Sequence, residues 1–279
     1  MAARLLGAGH EVSVYNRSSD RMRPLQRSGA RACSSAREAV TGVDAVIAMT
    51  ADDESSRAVW LGDDGVLSAE LATGALAIEC STLSHDWVMQ LSAHAQSRGL
   101  QYIDAPVTGL ADSAAAGELT LLIGARPEDL AAARPILAAF ANRLLHFGPV
   151  GAGTAYKLMV NLMGAVQIAA AAEGMALAER AGLDLKLVAD AIATGQAASP
   201  QVVRNTRRMA EDDHDSNIAF TPTLRLKDVE YALRLARKLD IGSPFGDVAR
   251  AAVERLLALG YGNVNESKII EVARRTKPA

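Results

Sequence analysis

Short apolar runs alternate with helical patterns in the first half of the chain, from His10 to His146. Several of these runs are apolar throughout, which is typical of strands covered by helices on both faces of a sheet. The pattern predicts six strands, at Glu11–Tyr15, Ala45–Met49, Leu76–Cys80, Gln101–Ile103, Leu119–Ile123 and Leu144–Phe147. It predicts intervening helices at Asp20–Arg27, Glu54–Trp60, Ser84–Arg98 and Pro127–Ala141. Such alternation favours an open, mostly parallel, doubly wound α/β sheet of the Rossmann type.

The pattern changes at a Gly/Pro cluster, residues 148–153, which we interpret as a domain junction. Almost everything after it has a helical pattern, beginning with one long helix at Thr154–Ala181. Further helices are predicted at Leu185–Thr194, Pro200–Met209, Thr223–Leu239, Pro244–Leu259 and Glu266–Arg274. The sequence therefore predicts an α/β nucleotide-binding domain over residues 1–150 and an all-helical domain over residues 151–279.

Terminal signals accompany several of the predicted helices. Ser84, Ser199 and Ser243 suit N-caps, and Gly260 suits a C-terminal stop. The opening segment Met1–Gly9 has the pattern of the end of a helix, without an N-cap and without a strand before it.

Composition narrows the class of protein. Of 279 residues, 49% are hydrophobic and 22% are charged, as in a soluble globular protein. The net charge is −3 and aromatic residues make up 4%, so the chain has neither a basic field nor stacking platforms for nucleic acid. Only Cys33 and Cys80 are present, without the spacing of a metal site, which fits a reducing compartment.

Two segments bear on localisation. The first residues lack the apolar core and small-residue cleavage site of a signal peptide. Asn161, Gln167 and Glu173 interrupt the most apolar later stretch, so we interpret it as a buried helix of a soluble protein. The sequence predicts a cytoplasmic protein with no membrane and no nucleic-acid partner.

The first candidate for chemistry follows the first predicted strand. Asn16 and Arg17, with two serines after them, stand where an acidic residue favours NAD and an arginine accommodates the 2′-phosphate of NADP. An arginine in a polar turn is also commonly a solvated charge with no ligand-binding role. No G-x-G-x-x-G lies between a strand and a helix anywhere in the chain, and the spacing alone therefore argues against dinucleotide binding.

A second candidate is the segment Asp104–Gly109 at the end of another strand. Such loops are where parallel sheets bind ligands. The hydroxyl of Thr108 and the backbone beside Gly109 suit a carboxylate, although the same residues also suit an ordinary turn.

A third candidate is Lys157, which lies one helical turn before Asn161 on an otherwise apolar face. Desolvation there would disfavour the ammonium form, as a general acid/base requires, whereas a lysine that reaches solvent would be only structural. Lys227 and Asp228 are either an exposed pair or a pair that the fold turns inward.

Other chemistries have no matching pattern. No tyrosine has a lysine four residues later, the five histidines form no H-E-x-x-H pair, and no G-x-S-x-G is present. Short-chain reductase, metalloenzyme and serine-hydrolase chemistry are therefore disfavoured, and no metal site is expected.

Taken together and in order, these segments resemble the β-hydroxyacid dehydrogenase family, which includes 3-hydroxyisobutyrate dehydrogenase and tartronate semialdehyde reductase and is related to 6-phosphogluconate dehydrogenase. Seven segments along nearly the whole chain carry the resemblance: Met1–Arg17, Glu79–Thr82, Asp104–Gly109, Gly151–Asn161, Glu173–Asp184, Phe220–Asp228 and Gly260–Gly262.

The resemblance implies hydride transfer between nicotinamide and a small hydroxyacid or its semialdehyde. It implies that Lys157 exchanges the hydroxyl proton, that Asn161 orients the substrate, and that Thr108 and Gly109 hold the substrate carboxylate. Lys227 is implied near both cofactor and substrate. The implied cofactor residues are Asn16, Arg17, Met49, Thr82 and Phe220, with NADP preferred and NAD possible. A homodimer or homotetramer is also implied.

The resemblance also bears on the start of the chain. In this family a Gly-rich loop ends just before a Met-Ala helix segment, so we expect one strand and one turn, about a dozen residues, to be missing before Met1. Upstream coding sequence should then contain G-x-G-x-x-G.

Some positions depart from the family pattern. Thr108-Gly109-Leu110 replaces Ser-Gly-Gly, Val160 replaces an asparagine, and Asn265 stands where the family has an aspartate. These departures bear on the identity of the substrate more than on the type of reaction. Two other functions remain open, an imine reductase on the same scaffold and a non-catalytic or truncated family member.

Overall fold

The computed structural model describes residues 1–277 of the chain, which form two units, one over Met1–Lys157 and one from Leu158 onward. Among the described residues, strands occur in the first unit and the second unit is helical. The strands are β1 Ser13–Val14, β2 Arg31–Ala32, β3 Ala45–Ala48, β4 Leu76–Glu79, β5 Gln101–Asp104, β6 Val107–Thr108, β7 Leu119–Gly124 and β8 Ala141–Gly148. The first-unit helices are α1 Ala2–Gly7, α2 Arg23–Arg27, α3 Ala36–Ala39, α4 Asp53–Leu61, α5 His85–Ser97, α6 Ala111–Ala116 and α7 Pro127–Leu137.

The strands form two sheets. In the larger, β3, β4 and β5 are parallel, with Ile47 opposite Ile78 and Ile78 opposite Ile103. β7 is antiparallel to β5 and β6 and parallel to β8. β1 and β2 pair in parallel as a separate two-stranded sheet, and no described strand joins β1 to β3. The predicted α/β architecture with mostly parallel strands is confirmed.

Alternate residues of the larger sheet pack into two cores, one on each face. Ala77 and Tyr102 belong to the core formed with α4 and α5, which also contains Trp60 and Trp87. Their neighbours Ile78 and Ile103 belong to the other core, with α7. Helices therefore cover both faces, as the continuous apolar strands predicted.

The predicted elements are wrong in several details. α7 ends at Leu137 rather than at Ala141, because residue 141 starts β8 and pairs with Leu119 of β7. The predicted helix Asp20–Arg27 is a 3₁₀ turn followed by the short α2. The short elements β2, β6, α3 and α6 are absent from the prediction, since two to six residues carry too little periodicity to reveal them.

The helix α8, Ala152–Arg180, starts in the first unit and continues into the second. The other second-unit helices are α9 Leu185–Thr194, α10 Pro200–Glu211, α11 Pro222–Lys238, α12 Pro244–Ala258 and α13 Ile270–Arg275, the last preceded by a 3₁₀ turn at Glu266–Ile269. The Ser199 hydroxyl caps α10 by accepting from Val202 N. Ser243 occupies the N-cap position of α12 but makes no side-chain capping bond, so that prediction holds for position only.

By length and composition, α8 is apolar enough to cross a membrane, and 39% of its most apolar window is buried within the protein. Its buried residues Ile168, Ala172 and Met175 pack in a core with residues of α10 and α12. Gln167 accepts a hydrogen bond from Ser199. These contacts fit the interpretation of α8 as the core helix of a globular unit.

Two glycines allow the start of α8 to approach β7 closely. A Cβ at Gly153 would overlap the carbonyl oxygen of Leu122, and a Cβ at Gly124 would overlap the carboxylate of Asp104. Any larger residue at either position would force strand and helix apart.

Candidate active site

The carboxyl end of β1 carries an exposed arginine in an ordered turn. Asn16 Oδ1 accepts a hydrogen bond from Ser18 N at 2.9 Å, an Asx turn that shapes the backbone around Arg17. Arg17 and both following serines are exposed. The guanidinium of Arg17 and the two serine hydroxyls form a donor set that fits a phosphate ester. The carboxylate of Asp20, the next residue, pairs with Arg23 at 2.9 Å.

Met49 directly follows β3, and Thr82 is the third residue after the end of β4. Met49 is 58% exposed and Thr82 is half-buried. Between them, Thr50 N donates to Ser81 Oγ at 2.6 Å, so the two loops that carry these residues are bonded to each other. The structure therefore places both residues at the same edge of the sheet.

Lys157 lies beside the predicted carboxylate-binding segment. Its Nζ donates to the carbonyl oxygen of Val107 at 2.9 Å, next to exposed Thr108 and Gly109. Gly109 has φ +127°, and a Cβ there would lie 2.8 Å from Leu119 Cδ2, so this turn requires glycine. The structure thus brings together a half-buried ammonium group, a hydroxyl and an unhindered backbone.

A buried carboxylate fixes the start of α8 next to this segment. Asp104 is 0% exposed; Oδ1 accepts from Gly151 N and Oδ2 from Thr154 N, both at 2.7 Å. These donors belong to the first turn of the helix, where backbone N–H groups lack intrahelical partners. Burial raises the pKa of Asp104 to about 6, against the opposing effect of the two N–H bonds.

In the second unit, Asn161 and Lys227 meet at one carboxylate. Asn161 Nδ2 donates to Asp228 Oδ2 at 2.6 Å, and Lys227 Nζ lies 3.1 Å from Asp228 Oδ1. Asp228 is 1% exposed. The fold therefore turns the Lys227–Asp228 pair inward rather than leaving it exposed.

A buried arginine, Arg225, connects Phe220 to this cluster. The Arg225 guanidinium is 4.5 Å from the centroid of the Phe220 ring. Arg225 also donates to the Glu266 carboxylate at 2.7 Å and to the backbone oxygen of Asn161 at 3.1 Å. Phe220 is thereby held by the same network that supports Asn161.

Sequence reasoning assigned no role to Asp104, Asp228 or Glu79, although all three make buried contacts near candidate residues. The available signal was an acidic residue directly ending an apolar strand, at Glu79 and Asp104, or lying beside a candidate lysine, at Asp228. Their partners lie far away in the chain and could not be inferred from spacing.

The residues at the strand ends fit a nicotinamide dinucleotide by their chemistry. Phosphate needs cationic and hydroxyl donors, and Arg17 with its serines is an exposed set of that chemistry. A nicotinamide ring needs an apolar contact, and exposed Met49 has an apolar side chain.

Two family models together match nearly the whole chain. Residues 1–148 match the NAD-binding domain of 6-phosphogluconate dehydrogenase. Residues 151–273 match the NAD-binding region of NADP-dependent 3-hydroxyisobutyrate dehydrogenase. An NAD-dependent L-serine dehydrogenase of Pseudomonas aeruginosa is 35% identical over 270 residues, covering 94% of this chain and 89% of that protein.

Solved structures agree with these matches. A 3-hydroxyisobutyrate dehydrogenase of Salmonella typhimurium has a TM-score of 0.88 and 28% identity, with 97% of this chain and 94% of that one covered. A 3-hydroxyisobutyrate dehydrogenase of Mycobacterium tuberculosis, solved with L-serine, has a TM-score of 0.86 and 30% identity over 98% and 94% of the two chains.

Asp104 predicts a measurable pH dependence of stability. The folded carboxyl holds its proton up to a pKa of about 6, whereas its usual value is 3.8, so its contribution to the free energy of unfolding falls as the pH rises between these values. Asp104→Asn, which does not ionise, should lack this contribution. The difference in unfolding free energy between the two proteins should therefore change by roughly 3 kcal/mol between pH 3.5 and pH 7.

Urea unfolding followed by tryptophan fluorescence measures this difference, because Trp60 and Trp87 both lie in the first unit. Other buried carboxylates are present in both proteins and cancel. Parallel stability curves for the two proteins would contradict the assignment.

Proposed function

The chain belongs to the β-hydroxyacid dehydrogenase family, and we propose that it transfers a hydride between NADP and a small β-hydroxyacid or its semialdehyde. As a member, it is an NAD(P)-dependent oxidoreductase of hydroxyacids. The observation that carries the proposal is the contact of Lys157 Nζ with Val107 O, beside Thr108 and Gly109.

Lys157 is the proposed general acid/base. In the oxidative direction its neutral amine accepts the proton of the substrate hydroxyl, and in reduction its ammonium returns that proton to the forming alcohol oxygen. The Val107 carbonyl restrains Nζ by accepting one of its hydrogens, which keeps the flexible side chain in place. Bound NADP supplies the hydride acceptor or donor.

Thr108 and Gly109 are the proposed carboxylate-binding residues, through the hydroxyl and backbone N–H. Asn161 and Lys227 are proposed to orient the substrate, with Asp228 fixing both through its two oxygens. Lys227 is proposed to lie near the cofactor as well.

Arg17 and Asn16 are the proposed recognition site for the adenosine 2′-phosphate, with Met49, Thr82 and Phe220 lining the rest of the cofactor site. Support comes from the exposed guanidinium and from the NADP-dependent family model that matches residues 151–273.

The proposed substrate is a β-hydroxyacid of three or four carbons. The similar proteins include an L-serine dehydrogenase and a 3-hydroxyisobutyrate dehydrogenase solved with L-serine. L-Serine and 3-hydroxyisobutyrate are both small acids of this type. Thr108 and Leu110 make the carboxylate segment bulkier than Ser-Gly-Gly, which favours a short substrate.

We further propose a soluble, cytoplasmic homodimer or homotetramer with a domain boundary between residues 150 and 151. The two family models meet close to that boundary. Large apolar side chains are exposed in the second unit, among them Leu177, Leu187, Phe245 and Val248. Such exposure is typical of a surface that another subunit covers.

Lys157→Ala should lower turnover at least about a hundredfold, because proton exchange at the substrate hydroxyl is lost. Steady-state assays with NADPH and small semialdehydes measure this, and circular dichroism checks the fold. Lys186→Ala, at an exposed lysine of α9, is the control and should keep wild-type turnover. Near-normal turnover of a folded Lys157→Ala protein would refute the proposed acid/base.

Arg17→Ala should raise the dissociation constant for NADPH about tenfold or more while leaving that for NADH nearly unchanged, since only NADPH carries the 2′-phosphate. Titration followed by cofactor fluorescence measures both constants. Arg27→Ala, at an exposed arginine on α2, is the matched control. Equal losses for the two cofactors, or a wild-type preference for NADH, would count against the assignment.

Light scattering after size exclusion should give a mass of at least twice 29.3 kDa. Phe245→Asp places a charge on the 74%-exposed apolar side chain and should shift the mass toward the single chain. Leu61→Asp, at an exposed apolar residue of the first unit, should leave the mass unchanged. A wild-type mass of one chain would reject the proposed oligomer.

A further inference from the structure

Glu79, the last residue of β4, carries a fully buried carboxylate whose oxygens are both occupied by donors. Oε2 accepts from Trp60 Nε1 at 2.8 Å and from Ser56 Oγ at 3.0 Å. Oε1 accepts from the backbone N of Ser81 at 3.0 Å and from its hydroxyl at 2.5 Å. Glu79 is 0% exposed, and burial raises its pKa. Four donors offset part of the desolvation of this group.

The network reaches both helices that follow the neighbouring strands. Ser56 and Trp60 belong to α4, and Trp87 of α5 donates through Nε1 to Ser56 Oγ at 2.9 Å. One carboxylate thus connects the end of β4 with α4 directly and with α5 through one hydroxyl.

On its other side the network reaches the loop after β3. Since the Ser81 hydroxyl donates to Glu79, its oxygen is left to accept, and it receives Thr50 N at 2.6 Å. Thr50 Oγ1 also lies 3.1 Å from Ser81 Oγ. All four bonds at Glu79 are donated to its carboxylate, which therefore sets the direction of the bonds in this network.

Two further bonds join the loop 81–84 to the first residue of α4. Ser84, the N-cap of α5, donates from its backbone N and hydroxyl to the Asp53 carboxylate of α4 at 2.8 and 2.6 Å. The loop 81–84 is therefore held at Ser81 by the loop 49–52 and at Ser84 by the helix that follows that loop, and the two loops carry Met49 and Thr82.

Stability alone does not account for a carboxylate at position 79. A buried ionised group costs desolvation free energy, and apolar residues of similar volume often serve a core equally well. What an apolar residue cannot do is orient the Ser81 hydroxyl toward Thr50. The distinctive effect of Glu79 is thus on the two loops rather than on the core.

We propose that Glu79 is a positioning residue: through Ser81 and Thr50 it holds loops 49–52 and 81–84 in the arrangement to which the nicotinamide cofactor binds. This inference rests on the proposed function and extends it to residues that do not themselves touch the cofactor.

Two variants test the proposal. Glu79→Gln keeps the side-chain volume but presents an NH₂ group to donors, and Ser81→Ala removes the connection to Thr50 while sparing the bonds of Glu79 to α4. The control is Ser92→Ala, a buried serine of α5 that accepts from Gln96 Nε2 within its own helix.

Near-UV circular dichroism reports on the network directly, because the only two tryptophans of the sequence, Trp60 and Trp87, both belong to it.

The decisive readout is the dissociation constant for NADPH and NADH, measured where far-UV circular dichroism shows each protein to be folded. Glu79→Gln and Ser81→Ala should raise both constants about tenfold, the loss expected for one hydrogen bond in a charged network, and Ser92→Ala should leave them within about twofold. Lower thermal stability with wild-type dissociation constants would mean a purely structural role for Glu79. That result would overturn this inference and leave the proposed function standing. Failure of the wild-type protein to bind either cofactor would overturn the proposed function and this inference with it.

Discussion

The capping of α8 by the carboxylate of Asp104 is the interaction on which the geometry of the candidate site in the first unit depends. It joins the end of β5 to two backbone donors in the first turn of a 29-residue helix. Lys157 lies on the next turn, so its contact with Val107 requires this helix start to be fixed relative to the strand. Gly124 and Gly153 provide the space for that approach. The buried carboxylate of Asp104 thereby helps to set the position of the Lys157 amine.

Glu79 and Asp104 occupy the same edge of the sheet. They are directly opposite each other in the register of β4 and β5, and in a parallel pair such residues point to the same face. Their strand neighbours Ala77 and Tyr102 both pack in the core under α4 and α5, which agrees with this direction. Each carboxylate fixes a segment that follows a strand. The candidate residues on loops are thus held by polar groups at the ends of a rigid sheet.

The sequence predicted those parts of the structure that local periodicity determines. The strands around Ile78 and Ile103 and the bounds of α9 follow from apolar patterns and terminal signals. Residue 141 shows where this fails: an alanine-rich stretch favours helix, but pairing with Leu119 in β7 makes it a strand. The site was predictable as a set of residue types and not as contacts, because Asp104 meets Gly151 across 47 residues and Asn161 meets Asp228 across 67.

Burial separates the departures from the family pattern into two kinds. Asn265 replaces an aspartate, yet it is buried, and its Oδ1 accepts from Ser267 N at 3.0 Å as the cap of the turn that follows. An N-cap needs an acceptor and not a charge, so this replacement preserves the local fold. Thr108 replaces a serine at an exposed position next to Lys157, where it supports no buried contact. If Thr108 binds the substrate carboxylate as proposed, its extra methyl group changes the space offered to a substrate rather than the stability of the fold. The proposed difference between this chain and its relatives is then which hydroxyacid fits.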